Sequence, residues 1–252
     1  MIQGFLSAVA ALTVFRGLSG HGAPRRAFVL ISFPLVGLLF GVVALAIVFI
    51  FQAKLPYLSA WLVPVVWLAL SGASHFLGLS KSLNAFLADG TADDRQRALS
   101  LEGVGMPGMA LAILIVAGKV FALLQCQILE TSMVALSVLL APVIARYVAV
   151  MMAISGDGQS EEADSNDNLL ILLSATGITF LVSLVSLALA LALLVTALVT
   201  AMLLRWVAVS RLESAPPPIL GALIEISETA MLWIPVVCTT LGLNLSLLRI
   251  SF

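Results

Sequence analysis

The stretch LLILLSATGITFLVSLVSLALALALLVTALVTAMLLRWVAV, Leu169–Val209, decides what kind of fold this chain can adopt. Its 41 residues contain one formal charge, Arg205. A helix rises about 1.5 Å per residue, so a single helix of this length would greatly overshoot a hydrocarbon core of roughly 30 Å. The run predicts two transmembrane helices that turn near Thr179–Ser186, where Ser183 and Ser186 fall. The rest of the chain agrees. It is 62% hydrophobic and 10% charged, with a mean hydropathy of +1.17, where a soluble domain carries about 25% charged residues. So much apolar surface cannot be hidden in one core, and the lipid bilayer is the partner that covers it.

Working outward, further spans of about 20 apolar residues are expected at Phe28–Gln52, Leu55–Leu79, Val104–Gln125, Thr131–Ser155 and Pro218–Leu245. The predicted fold is an all-α, polytopic helical bundle of about seven transmembrane helices (six to seven), forming a single domain over residues 1–252. Residues 1–27 read as an N-terminal interfacial segment. Within it, the uncharged residues 1–15 either lie along or dip into the interface, or form a poorly anchored terminal helix. No lysine or arginine precedes the first apolar run, so a cleaved signal is not expected.

The cationic residues set the orientation. Arg16, Arg25 and Arg26 precede the first span. Lys81, Arg95 and Arg97 follow the second, and Arg205 and Arg211 lie between the sixth and seventh. With seven spans all eight share one side, and only Lys54 and Arg249 fall opposite. The N-terminus and the large loops are therefore expected in the cytoplasm. Residues 155–168 (SGDGQSEEADSNDN) form an acidic cytoplasmic loop. Its spacing lacks the alternate ligands and closing glutamate of a calcium loop, so it reads as a solvated connection. Cys126 and Cys238 have no Cys or His at metal spacing and read as small buried hydrophobes. A net charge of −1 implies no nucleic-acid partner.

Chemistry is expected in Ser71–Leu87, SGASHFLGLSKSLNAFL. This stretch resembles the acidic signature of the cobalamin synthase family, the adenosylcobinamide-GDP ribazoletransferases, which reads roughly GG-x-H-x-D-G-L-x-D-x-x-D-G. His75, Gly78 and Leu79 stand in register, while Leu77, Lys81 and Asn84 fill the three aspartate positions and Ala85 the closing glycine. The resemblance extends over most of the chain. Leu12–Phe15 and Arg16 fit a family F-x-T-R-x-P element without its proline. Phe33–Gly41 (FPLVGLLFG) matches FPLVG-x-x-x-G. Leu101–Gly108 (LEGVGMPG) stands where the family carries D-S-R-x-G-x-x-G, with Gly105 and Gly108 kept and Leu101 and Gly103 replacing the aspartate and arginine. Ala145-Arg146 resembles an S-R element. Gly221–Glu228 resembles D-x-x-G-A-x-x-E-x-x-E, with Glu225 and Glu228 kept and Pro218 at the aspartate position. Independently of the family, Pro34 kinks a helix start, and Gly37 and Gly41 make a small-residue face for close helix packing.

The resemblance implies a bacterial inner-membrane enzyme that joins adenosylcobinamide-GDP to α-ribazole, or its 5′-phosphate, with release of GMP. Such a reaction spreads negative charge over phosphoryl oxygens, which aspartate-held Mg²⁺ would stabilise. Here Leu77, Lys81, Asn84, Leu101 and Pro218 leave the family's metal positions without a carboxylate, so no resident metal is expected; Mg²⁺ would return only if the family activity survives. The leading expectation is an inactive or altered paralogue, with a corrinoid or other cobalamin-pathway membrane proteins as partners. The alternatives are an active ribazoletransferase with a divergent site, and a small-solute or corrinoid transporter. His75, Lys81, Asn84, Arg146, Glu225 and Glu228 are the remnant site positions. His75 is expected to serve packing. Glu225 and Glu228, at i and i+3, share a helix face, and Arg146 is placed to pair with one of them. Lys119 is expected to snorkel toward the opposite interface. Glycine-rich faces permit an oligomer.

Overall fold

The computed structural model describes residues 2–15, 17, 25–51, 53–126, 131–155 and 165–242, and every regular element among them is a helix. In chain order these are α1 (Ile2–Leu12), α2 (Arg26–Ile31), α3 (Phe33–Phe51), α4 (Pro56–Leu70), α5 (Ser74–Leu87), α6 (Ala92–Ser100), α7 (Met106–Gln125), α8 (Thr131–Ile154), α9 (Ser165–Ser183), α10 (Leu187–Leu212) and α11 (Pro218–Thr240).

Helix α8 is the hub. It is buried along nearly all of its span and packs against α3, α11, α10 and α9, as expected of a helix that is apolar on every side. Helix α3 approaches it through the two glycines singled out above. A Cβ on Gly37 would lie 2.8 Å from the Cα of Val143, and one on Gly41 would run into the carbonyl oxygen of Leu139. Lipid is as apolar as leucine, so helices in a bilayer associate through such backbone approach and through polar contacts. Trp67 of α4 supplies one of these contacts, its indole N–H donating to the carbonyl of Phe40 on α3 at 3.1 Å.

The expected span Leu55–Leu79 is corrected by the structure. It breaks after Leu70, and α4 and α5 meet at 88°. The cause is local: Gly72 and Ala73 both adopt left-handed backbone, with φ of 58° and 56°, and two such residues in succession cannot continue a right-handed helix. Helix α5 therefore runs across the bundle against α11 and α7. The expected turn inside the long apolar run is borne out, since α9 ends at Ser183 and α10 starts directly after Ser186.

Among the described residues, five helices are long and apolar enough to cross a membrane (α2 and α3 together, α7, α8, α10 and α11), and six if the bent α4–α5 pair counts as one span. The expected seventh would have to be α9, whose apolar part, Asp167–Ser183, is shorter than the others. Helix α1 is anchored rather than loose: a Cβ on Gly4 would strike Phe28 of α2, and Val14 N–H donates to the Leu70 carbonyl at 2.9 Å. Helix α6 starts on a capping box in which Thr91 and Asp94 bond reciprocally. These hydrogen bonds from Thr91 hold the Asp94 carboxyl below the usual carboxylate range. The acidic residues 156–164, together with Arg16 and Arg249, lie outside the described residues.

A candidate site of buried charge beneath a rim without carboxylates

Helix α5 positions the first group of candidate residues. Leu77, Lys81 and Asn84 are spaced i, i+4 and i+7 and form one stripe along it. Leu77 is exposed, and Lys81 and Asn84 are half-buried. The neighbouring stripe packs without side chains between the helices. A Cβ on Gly78 would lie 2.8 Å from the carbonyl oxygen of Pro218, and one on Gly221 would lie 3.1 Å from the carbonyl oxygen of His75. On the α7 side, Gly105 leaves room for the Asn84 amide, and Gly108 for the Ser80 carbonyl. The fold thus brings α5, the start of α7 and the start of α11 together at one rim. Asn84 and Pro218 stand at that rim, and Leu101, exposed, lies four residues ahead of Gly105.

Beneath the rim lies a network of four charged side chains from three helices. The Lys119 ammonium on α7 donates to Glu225 Oε2 at 2.5 Å and to Glu228 Oε2 at 2.6 Å, both on α11. The second oxygen of Glu228 accepts from Arg146 Nη1 on α8 at 2.5 Å, and the same Nη1 donates to the Pro142 carbonyl at 3.1 Å. All four side chains are buried. Aromatic rings wall both cations: Trp67 lies 5.5 Å from Lys119 Nζ, and Phe40 lies 4.2 Å from the guanidinium carbon of Arg146. Two positive and two negative groups balance, which is how a low-dielectric interior tolerates ions at all. Thr229 adds a tie between α11 and α7, its hydroxyl donating to the Ile115 carbonyl at 3.3 Å.

The pairing of Arg146 with one glutamate agrees with expectation. The reading of Lys119 does not. Rather than snorkelling, it points inward, because α11 presents two carboxylates at a depth its long side chain can reach. A lone lysine within Met106–Gln125 was the signal available, since an ionisable residue inside a span defaults to a protein partner. His75 is buried at the start of α5, and its Nε2 has no hydrogen-bond partner among the described residues.

These residues do not fit a magnesium ion. Magnesium takes an octahedron of oxygens, usually waters, phosphate and one or two carboxylates. The rim offers no carboxylate at positions 77, 81, 84, 101 or 218. The two carboxylates below it already hold an ammonium and a guanidinium. No group of three or more His, Cys, Asp or Glu placed to hold a metal occurs among the described residues. A cavity of about 380 Å³ adjoins the rim at Pro216 and Pro217. It is also lined by Arg26, whose Nη2 donates to the Ala153 carbonyl at 3.0 Å.

Bundle and network together define a polytopic helical membrane protein with a charge-balanced interior set under a glycine-packed rim. Comparison with known proteins then places it: the chain belongs to the cobalamin-5-phosphate synthase family, which matches residues 4–236. An adenosylcobinamide-GDP ribazoletransferase of Alkalilimnicola ehrlichii is 32% identical over 160 residues, 60% of each chain. One of Pseudomonas putida is 33% identical over 130 residues, 51% of this chain and 53% of its own. One of Pseudomonas aeruginosa is 28% identical over 214 residues, 80% of this chain and 84% of its own. The match thus spans about half to three fifths of the first two relatives' length. No solved structure matches the chain.

Proposed function

We propose that this chain is a bacterial inner-membrane member of the family that keeps the fold but has given up metal-dependent ribazole transfer, leaving an assembly or corrinoid-binding role. The observation that carries this reading is the α5 stripe of Leu77, Lys81 and Asn84, which holds no carboxylate where the resemblance sets the family's aspartates. In the transfer, an oxygen of α-ribazole or its 5′-phosphate bonds to a phosphorus of adenosylcobinamide-GDP, and the diphosphate P–O bond to GMP breaks. Negative charge on the departing GMP must be stabilised as it develops. Lys81 is the one charged group of the stripe. It can meet a phosphate as a point charge but cannot bridge two phosphoryl oxygens in fixed geometry as a metal does. Membership of a family named for synthesis also favours this reading over a small-solute transporter.

The test is an assay of the purified full chain in lipid with adenosylcobinamide-GDP, α-ribazole and Mg²⁺, following GMP and the joined corrinoid by mass spectrometry. An intact relative serves as control. GMP is expected to form no faster than without protein. The variant carrying Leu77→Asp, Lys81→Asp and Asn84→Asp should remain silent, because Leu101, Gly103 and Pro218 are unchanged. Turnover by the native chain would overturn the reading and make Glu102, Glu225 and Glu228 the first residues to mutate.

A further inference from the structure

We infer that Glu225 and Glu228 form a latent divalent-cation site which, in this chain, is permanently filled by its own cation, the ammonium of Lys119. The inference rests on the geometry below the rim and stands whether or not the rim is catalytic.

The two Oε2 atoms touch one nitrogen at 2.5 and 2.6 Å, so they converge on a single point. Two carboxylate oxygens on one face of α11, aimed at one position, are the donor set that a hard cation takes. Here the position is occupied from within. Lys119 reaches it from α7, and the Trp67 ring closes over the ammonium from α4. Arg146 is a weaker claimant to that position because its guanidinium is engaged elsewhere, by Glu228 Oε1, the Pro142 carbonyl and the face of Phe40.

The charges make the occupancy exclusive. With Lys119 in place the four groups sum to zero, and a divalent ion added between the carboxylates would leave two uncompensated positive charges in a dry interior. Replacing Lys119 by an apolar residue leaves one net negative charge, and the vacated point is lined by two carboxylate oxygens. Removal of the internal cation should therefore create affinity for an external one. The tethered ammonium also needs no uptake from solution and cannot be chelated, so the α7–α11 contact is independent of metal supply.

The experiment uses full-length protein in detergent or nanodiscs and reads Mn²⁺ binding by electron paramagnetic resonance, with Mn²⁺ alone as the probe. Native protein is expected to bind no Mn²⁺ that Glu225→Gln abolishes, and EDTA should not lower its melting temperature. Lys119→Met is expected to gain about one Mn²⁺ per chain, at least tenfold tighter than any native binding. That gain should disappear in Lys119→Met/Glu225→Gln, which removes one charge of each sign. A native Mn²⁺ signal lost in Glu225→Gln would overturn the inference, because the carboxylates would already hold metal. A folded Lys119→Met protein that binds no Mn²⁺ would also overturn it, because the point would then be no cation site. If Lys119→Met does not fold, Lys119→Gln, which keeps a polar group toward the carboxylates but no charge, is read in the same way: Mn²⁺ binding gained supports the inference and none overturns it. None of these readouts involves transferase turnover, so this inference and the functional reading fail separately.

Discussion

Glu228 uses both of its oxygens on cations from different helices, one on Arg146 and one on Lys119, and this makes it the most consequential single residue in the interior. Removing one partner of a buried ion pair leaves the other uncompensated, which costs about 3–5 kcal/mol. Glu228→Gln leaves Arg146 without its carboxylate and Lys119 with Glu225 alone, so its loss should fall at the upper end of that range. Glu102 is exposed, and Glu102→Gln should change stability by less than about 0.5 kcal/mol. Unfolding of both variants in the same detergent checks the contrast, and equal stabilities would refute it. At this scale the sequence was half legible. The i, i+3 glutamates and the intramembrane arginine stand out because each is expensive in lipid. Lys119 was misplaced because its distance from a helix end was weighed without knowing which neighbour its side chain would face.

Among the elements, the contacts that matter most are those where a side chain is absent. Gly41 of α3 meets the Leu139 backbone of α8, and Gly41→Val would have to force the two helices apart. No described residue lies within 4 Å of a Cβ placed on Gly177 of α9. Gly177→Ala should therefore be neutral or stabilise by about 0.5–1 kcal/mol, since glycine weakens a helix interior. Thermal denaturation should show Gly41→Val far below the native protein and Gly177→Ala at or above it; a reversal would mean α3 and α8 do not pack as described. The glycine pair was readable in FPLVGLLFG because its four-residue spacing marks a helix face. The right-angle break between α4 and α5 was not. Ser71–His75 (SGASH) only dents the apolar run Leu55–Leu79, and the right-angle bend depends on the left-handed backbone of Gly72 and Ala73.

For the whole molecule, the distribution of lysine and arginine predicts an orientation in which the N-terminal and α6 side face the cytoplasm and the connection around Lys54 lies opposite. Both Lys54 and Asp93 are exposed. In a chain lacking Cys126 and Cys238, a cysteine at position 93 is expected to react with an impermeant maleimide only after the membrane is opened, and one at position 54 in intact cells. Labelling of both positions from one side would overturn the orientation. What the sequence by itself determined is that this chain is built for a bilayer, where most of its spans lie, which glycines pack them, and that positions 77, 81, 84, 101 and 218 hold no carboxylate. These are sums or spacings along one dimension, and transfer free energy and helical periodicity act there. Tertiary structure alone decided that α5 turns across the bundle and that Lys119 closes the Glu225–Glu228 pair. Both depend on how helices far apart in sequence are rotated toward each other, and an ion in a low-dielectric interior is governed by whichever charge lies within a few ångströms.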